Sequence, residues 1–271
     1  NVFIKICLLP IIFSNILVYG QNVTQNKTYE QAYNQGVDLL EKNQYNEAIK
    51  MFDYTIKIKP SFIKAYYNRG IANLGIDNYI SAISDFTMFI DKSLSPNATA
   101  YYNRGIAKIA LNDFNGALSD FQQAIKIEPS YADAYYQIGV VKFLQEKYEE
   151  AIENYDMAII LKNDFAYAYN DRGSCKKMLG QLEEAAKDYM KAINFDSSLS
   201  ISYNNLASVK KKQGHNEEAI AYYTKAININ PNYYIAYNNR GVAKYDINNY
   251  TEAIADFNEA IRINPNYALA F

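Results

Sequence analysis

The chain has 271 residues, 49% of them hydrophobic, 15% aromatic and 21% charged, with a formal net charge of −2. This composition excludes a disordered chain and leaves no basic excess for a nucleic-acid backbone, while two Cys and one His exclude a Cys/His zinc cluster or a disulfide framework. The aromatic supply of 27 Tyr and no Trp points to packing positions that are half buried and half wet, used repeatedly.

Residues 1–20 read NVFIKICLLPIIFSNILVYG. Lys5 precedes an apolar run from Ile6 to Val18, and Val18-Tyr19-Gly20 makes a small-x-small end. That order predicts a secretory signal peptide, cleaved between Gly20 and Gln21, with residues 21–28 as a linker. The product is then exported, to a periplasm or the outside. The alternative is an uncleaved membrane anchor, which would need ~20 apolar residues and is interrupted here by Pro10 and Asn15. After cleavage only Cys175 remains, so no internal disulfide forms and stability rests on packing.

The rest of the chain is a repeat. Gly36, Gly70, Gly105, Gly139, Gly173 and Gly241 fall at steps of 34, 35, 34, 34 and twice 34, with Ala207 at the skipped place. Twelve residues after each stand Ala48, Ala82, Ala117, Ala151, Ala185, Ala219 and Ala253, and four further on Phe52, Phe86, Phe121, Tyr155, Tyr189, Tyr223 and Phe257. Pro60, Pro129, Pro231 and Pro265 close four units. Each unit reads as two helices. In residues 98–131, Tyr101, Gly105 and Lys108 share one helical face; Asn112-Asp113 breaks that helix and caps a second carrying Ala117, Phe121, Ala124 and Ile125; Glu128-Pro129 ends it. The small residues allow close helix approach and the aromatics fill the wider gaps.

This pattern resembles the tetratricopeptide repeat (TPR) family. The matching units begin at Tyr29, Ile63, Ala98, Ala132, Ala166, Ser200 and Tyr234, so the resemblance covers residues 29–267, within a repeat region of 29–271. It implies an all-α, right-handed α-solenoid of seven helix-turn-helix units, cut off at an eighth that starts with residues 268–271. A solenoid needs a polar terminal cap, so the natural protein is expected to continue past Phe271. Tyr66, Tyr101, Tyr135, Tyr169, Tyr203 and Tyr237 stand where the family often has Trp. The second unit has one extra residue within 91–97 and a bulky Phe89, which predicts looser packing between units two and three.

One pairing is visible between units. Arg69, Arg104, Arg172 and Arg240 precede the Gly in four units, and sixteen residues later those units carry Asp85, Asp120, Asp188 and Asp256. The other three have Gln35, Ile138 and Leu206 with Met51, Asn154 and Tyr222. Residues that change together predict an Arg–Asp ion pair between the two helices of a unit.

The resemblance places the first helices on the inner face of the superhelix, with an inward side three and two residues before the Gly and one, four and five after it. Tyr33, Tyr67, Tyr102 and Tyr136 stand three before it in units one to four, followed by Asn170, Asn204 and Asn238. One after it stand Val37, Ile71, Ile106 and Val140, then Ser174, Ser208 and Val242; four after it stand Leu40, Leu74, Ile109 and Phe143, then Lys177, Lys211 and Tyr245. The groove is therefore expected to run from aromatic and aliphatic to polar and basic. Two residues before the Gly runs Asn34, Asn68, Asn103, Gln137, Asp171, Asn205 and Asn239. Such a ladder resembles the one in O-linked N-acetylglucosamine transferases, where it holds peptide backbone; an amide offers both a donor and an acceptor to any peptide group. The alternative is that these amides bridge adjacent first helices. The family's clamp for chaperone C-termini uses Lys at places that here hold Tyr33 and Thr99, which argues against that ligand.

Nothing in the sequence supports catalysis. His215 lies in a turn with no partner for a triad; Glu149-Glu150, Glu183-Glu184 and Glu217-Glu218 recur near second-helix starts, where they favour the helix dipole; the glycines follow the repeat period and form no phosphate loop. Asn22, Asn26, Asn97 and Asn249 head N-x-Thr sequons, which matter only in a host that glycosylates exported proteins. The expected function is a non-catalytic scaffold holding a peptide or partner helix, with no cofactor, metal, nucleic acid or small-molecule substrate, and membrane contact only through an uncleaved first segment. The alternative is a targeting or substrate-recruiting arm of a larger enzyme or sensor lying beyond residue 271.

Overall fold

The computed structural model describes residues 27–266; the expected signal segment and the start of an eighth unit lie outside them. The described residues form helical hairpins in sequence: α1 (Lys27–Glu41) with α2 (Tyr45–Ile58), α3 (Ile63–Gly75) with α4 (Tyr79–Lys92), α5 (Ala98–Ala110) with α6 (Phe114–Ile127), α7 (Ala132–Leu144) with α8 (Tyr148–Leu161), α9 (Ala166–Met178) with α10 (Leu182–Phe195), α11 (Ser200–Lys212) with α12 (Asn216–Ile229), and α13 (Tyr234–Asp246) with α14 (Tyr250–Ile263). No strand occurs among the described residues. α1 starts at Lys27, inside the span expected as linker.

The hairpin turn explains itself from local chemistry. Its central residue sits in the left-handed region at φ 57–84° in every unit: Asn43, Asp77, Asn112, Glu146, Gly180, Gly214 and Asn248. Asn, Asp and Gly tolerate that conformation; Glu146 does not share their advantage. Asp113 then caps α6, accepting from Gly116 N at 2.9 Å.

The core of each hairpin is the Gly–aromatic contact. A Cβ on Gly105 would lie 2.6 Å from Phe121 Cε1, and one on Gly139 2.6 Å from Tyr155 Cε1. The bare glycine backbone lets the ring of the second helix lie against the first, and Phe52, Phe86, Phe121 and Tyr189 are fully buried there. Burying each such ring contributes about 1.5–3 kcal/mol. Consecutive hairpins stack: α2 on α3, α4 on α5, and so on to α12 on α13. First helices also touch the next first helix, as α1 does α3 and α11 does α13, whereas second helices make no comparable contact. The first helices therefore form the inner layer of a curved solenoid.

The extra residue of unit two falls in the link between α4 and α5, where Leu94 is exposed and Asn97 caps α5 by accepting from Ala100 N at 2.8 Å. The expected loosening of this joint is not found. Phe89 packs within its own hairpin on Tyr67, at 5.0 Å between ring centroids, while Asn103 Nδ2 and Arg104 Nη1 donate across the joint to the Tyr67 hydroxyl and Thr87 Oγ1 at 3.3 and 3.0 Å.

Candidate functional site

All four Arg–Asp pairs are formed, each as a two-pronged fork. Arg104 Nε and Nη2 donate to Asp120 Oδ2 and Oδ1 at 2.9 and 2.7 Å, and Arg69 to Asp85, Arg172 to Asp188 and Arg240 to Asp256 do the same. Each guanidinium also lies over the Tyr that replaces the family's Trp, 5.2–5.5 Å from the ring centre, at Tyr66, Tyr101, Tyr169 and Tyr237. The remaining Nη1 does something the sequence reading missed: it reaches back to the preceding unit. Arg69 meets Asp53, Arg104 Thr87, Arg172 Asp156 and Arg240 Thr224. The pair is thus a staple between units as well as within one. The signal was there to be read, since Gln122 and Met190 stand at that place before Ile138 and Leu206.

The amide ladder is corrected by the structure. Asn68, Asn103 and Gln137 do not line open groove; they are 5%, 5% and 2% exposed. Asn68 Nδ2 donates to the Tyr33 hydroxyl at 3.0 Å and Asn103 Nδ2 to the Tyr67 hydroxyl at 3.3 Å. Gln137 bonds the Tyr102 hydroxyl, and the Tyr136 hydroxyl donates to Asp171 Oδ2 at 2.7 Å. Further along, Asn205 Nδ2 donates to Asn170 Oδ1 and Asn239 Nδ2 to Asn204 Oδ1, at 3.2 and 3.1 Å. The rule holds at every joint: the residue two before the Gly pairs with the residue three before it in the preceding unit. Asn34, for which the described residues include no preceding unit, is exposed. The physical reason is that an amide donor between two packed helices needs an acceptor inside the seam, and the neighbouring unit supplies it; Gln137 Oε1 is buried there without a partner among the described residues.

The tyrosines expected as an aromatic groove are likewise occupied. Tyr33 packs edge-on against Phe62 at 4.8 Å, Tyr102 on Tyr131 at 5.1 Å and Tyr136 on Phe165 at 4.9 Å. Burial raises the Tyr67 pKa to about 12, against the opposing Asn103 hydrogen bond. The switch to polar residues in units five and six also has an internal cause at two of its three positions. Asn170 and Asn204 are acceptors of the seam, and Ser174 and Ser208 bond the hydroxyls of Tyr189 and Tyr223, which replace Phe there.

The third position does not resolve the same way. Lys211 Nζ pairs with Asp246 Oδ2 at 2.9 Å, but Lys177 has no carboxylate partner among the described residues. On the same three first helices, three apolar side chains remain in water: Met178 at the end of α9, Ile201 at the start of α11 and Tyr245 near the end of α13, at 57%, 43% and 58% exposure. Of the three, the sequence places Tyr245 on the groove; Met178 and Ile201 are not singled out by it. Elsewhere, Cys175 is buried and its thiol is pushed up to about 12, first by burial, so no thiolate is at hand near neutral pH. His215 precedes α12, exposed, 3.9 Å from Glu218. The described residues hold no group of three His, Cys, Asp or Glu suited to a metal, and no helix long and apolar enough to cross a membrane.

The comparisons agree with this architecture. Tetratricopeptide repeat models match residues 132–165, 166–198, 200–233 and 234–267, and a TPR repeat model matches 107–145. The chain belongs to the tetratricopeptide repeat family. No curated protein matches it significantly. Among solved structures it is similar to MamA, at 26% identity and TM-score 0.55, over 60% of this chain and 96% of that one. It is also similar to YrrB, a TPR protein with an unusual peptide-binding site, at 23% identity and TM-score 0.54, over 68% and 95%. A tetratricopeptide repeat protein from Parabacteroides merdae aligns over 90% of this chain and 96% of its own, with TM-score 0.72 and 19% identity.

Proposed function

We propose that this protein is a non-catalytic interaction scaffold that holds an extended peptide on the inner face of its C-terminal half, along α9, α11 and α13. The observation that carries the reading is three exposed apolar side chains, Met178, Ile201 and Tyr245, one on each of α9, α11 and α13, together with Lys177, which has no ion-pair partner among the described residues. Apolar side chains left in water and rimmed by charge are the usual form of a binding surface. The N-terminal half offers less, because Leu40, Leu74 and Ile109, at the place that Tyr245 holds in unit seven, are buried. The binding site of YrrB supports a peptide as the ligand class. Under this reading the solenoid acts after export and cleavage behind Gly20, which N-terminal sequencing of the mature protein tests.

The test of the groove is selection of binders from a displayed random-peptide library, followed by titration of variants. Met178→Asp and Tyr245→Ala should weaken the selected peptides by tenfold or more, while Ile80→Asp on α4, exposed at 73% on a second helix, should not. Equal weakening by Ile80→Asp would refute the placement.

A further inference from the structure

Lys177 and Lys212 stand on neighbouring inner helices, α9 and α11. One repeat further on, the same two places hold Lys211 and Asp246, whose charged atoms meet at 2.9 Å. The joint between units five and six therefore sets two cations where the next joint has an ion pair. Their proximity is felt: the Lys177 ammonium has its pKa lowered, first by burial and then by the Lys212 charge. The other lysines around them are neutralised, Lys176 by Asp188 at 2.7 Å and Lys210 by Glu218 at 2.8 Å. Among the described residues neither Lys177 nor Lys212 lies in an ion pair.

Two like charges, one of them half withdrawn from water, work against folding. An acid at position 212 would relieve the strain, as Asp246 does one unit on. We propose that Lys177 and Lys212 form a receiving site for a carboxylate side chain of a bound peptide, with the exposed Met178, next to Lys177 at the end of α9, taking a neighbouring apolar side chain. The site rests on the peptide-groove reading and adds its chemistry: an extended segment in which Glu or Asp alternates with apolar residues. Nucleic acid fits less well, because the net charge is −2 and no basic excess is available to match a phosphate backbone. The bound carboxylate would supply the counter-charge the fold lacks, and would do so in a partly desolvated place where a charge-assisted hydrogen bond is strong.

The experiment is fluorescence anisotropy with two labelled decapeptides, one alternating Leu and Glu, the other alternating Leu and Gln. The expected result is about tenfold tighter binding of the Glu peptide, a difference of about 1.4 kcal/mol. Lys177→Met and, separately, the more exposed Lys212→Gln should abolish that difference while leaving the Gln peptide's affinity unchanged. Both variants should melt no lower than the parent, since each removes a repulsion; a residue with a purely structural role would lower the melting point instead. Equal affinity of the two peptides, or a preference that survives both substitutions, overturns the carboxylate site and leaves the groove standing. Failure of both peptides to bind overturns the groove reading and the site with it.

Discussion

Arg104 offers the cleanest test of what holds consecutive units together. Its side chain is 15% exposed and the Asp120 side chain 3%. Replacing Arg104 by Leu strips the fork from a buried carboxylate and leaves only Lys108 Nζ, at 2.8 Å, as a counter-charge. Breaking a buried pair from one side costs 3–5 kcal/mol in general, and the surviving lysine places this case at the low end, about 3 kcal/mol. Unit six shows an alternative that the chain already uses: Leu206 and Tyr222 at the two places. The doublet Arg104→Leu with Asp120→Tyr should therefore cost about 1 kcal/mol, because an apolar pair of adequate volume can replace an ion pair with little loss. Thr87→Val removes only the inter-unit prong and should cost about 0.5–1.5 kcal/mol, one hydrogen bond. Urea unfolding followed by far-UV circular dichroism reads all three as shifts in midpoint at constant slope. The reasoning is refuted if Arg104→Leu alone is as mild as the doublet, since the penalty then would not come from an abandoned carboxylate.

Three further outcomes follow from particular residues. Burial raises the Asp171 pKa despite hydrogen bonds from Tyr136 and Asn170, so the ionised form is disfavoured in the fold and stability falls as pH rises through the unfolded and then the folded pKa. Asp171→Asn should thus melt higher than the parent near pH 7, with the gap closing toward about pH 4, where aspartate protonates even in the unfolded chain; a gap that widens on acidification would contradict this. Glu146, at φ 61°, should be bettered by the Gly that units five and six carry at that place, and thermal melts of Glu146→Gly should show a gain of about 0.5–1 kcal/mol rather than the loss usual for glycine. Gly105→Val must displace the Phe121 ring, so it should cost about 1–3 kcal/mol in urea unfolding, and an unchanged midpoint would disprove the tight contact.

The hairpins were legible because their signal is redundant. Gly, Ala and an aromatic at fixed offsets recur unit after unit, and a contact such as Gly105–Phe121 demands those residue types whatever surrounds them. The Arg–Asp forks were legible because two positions change together within one chain. The ladder was misread for a geometric reason. Successive helical residues point about 100° apart, so one step separates a side chain in the groove from one in the seam, and a period of 34 residues carries no information about which is which. Asn68 and Asn103 fall in the seam, where the Tyr33 and Tyr67 hydroxyls of the previous unit wait for them. Recognising this needed the registration of one unit against the next, which no single unit encodes. Lys212 went unnoticed for the same reason: its neighbour is Lys177, 35 residues earlier, and only the stacked helices bring the two together.

The central claim, that recognition occurs on the inner face of units five to seven, is tested most directly by backbone hydrogen exchange with and without a library-selected peptide. The account predicts that bound peptide slows exchange in α9, α11 and α13, leaving α1, α3 and the outward second helices α2, α4 and α12 unchanged. Protection centred on α1 and α3, or on the second helices, would contradict it.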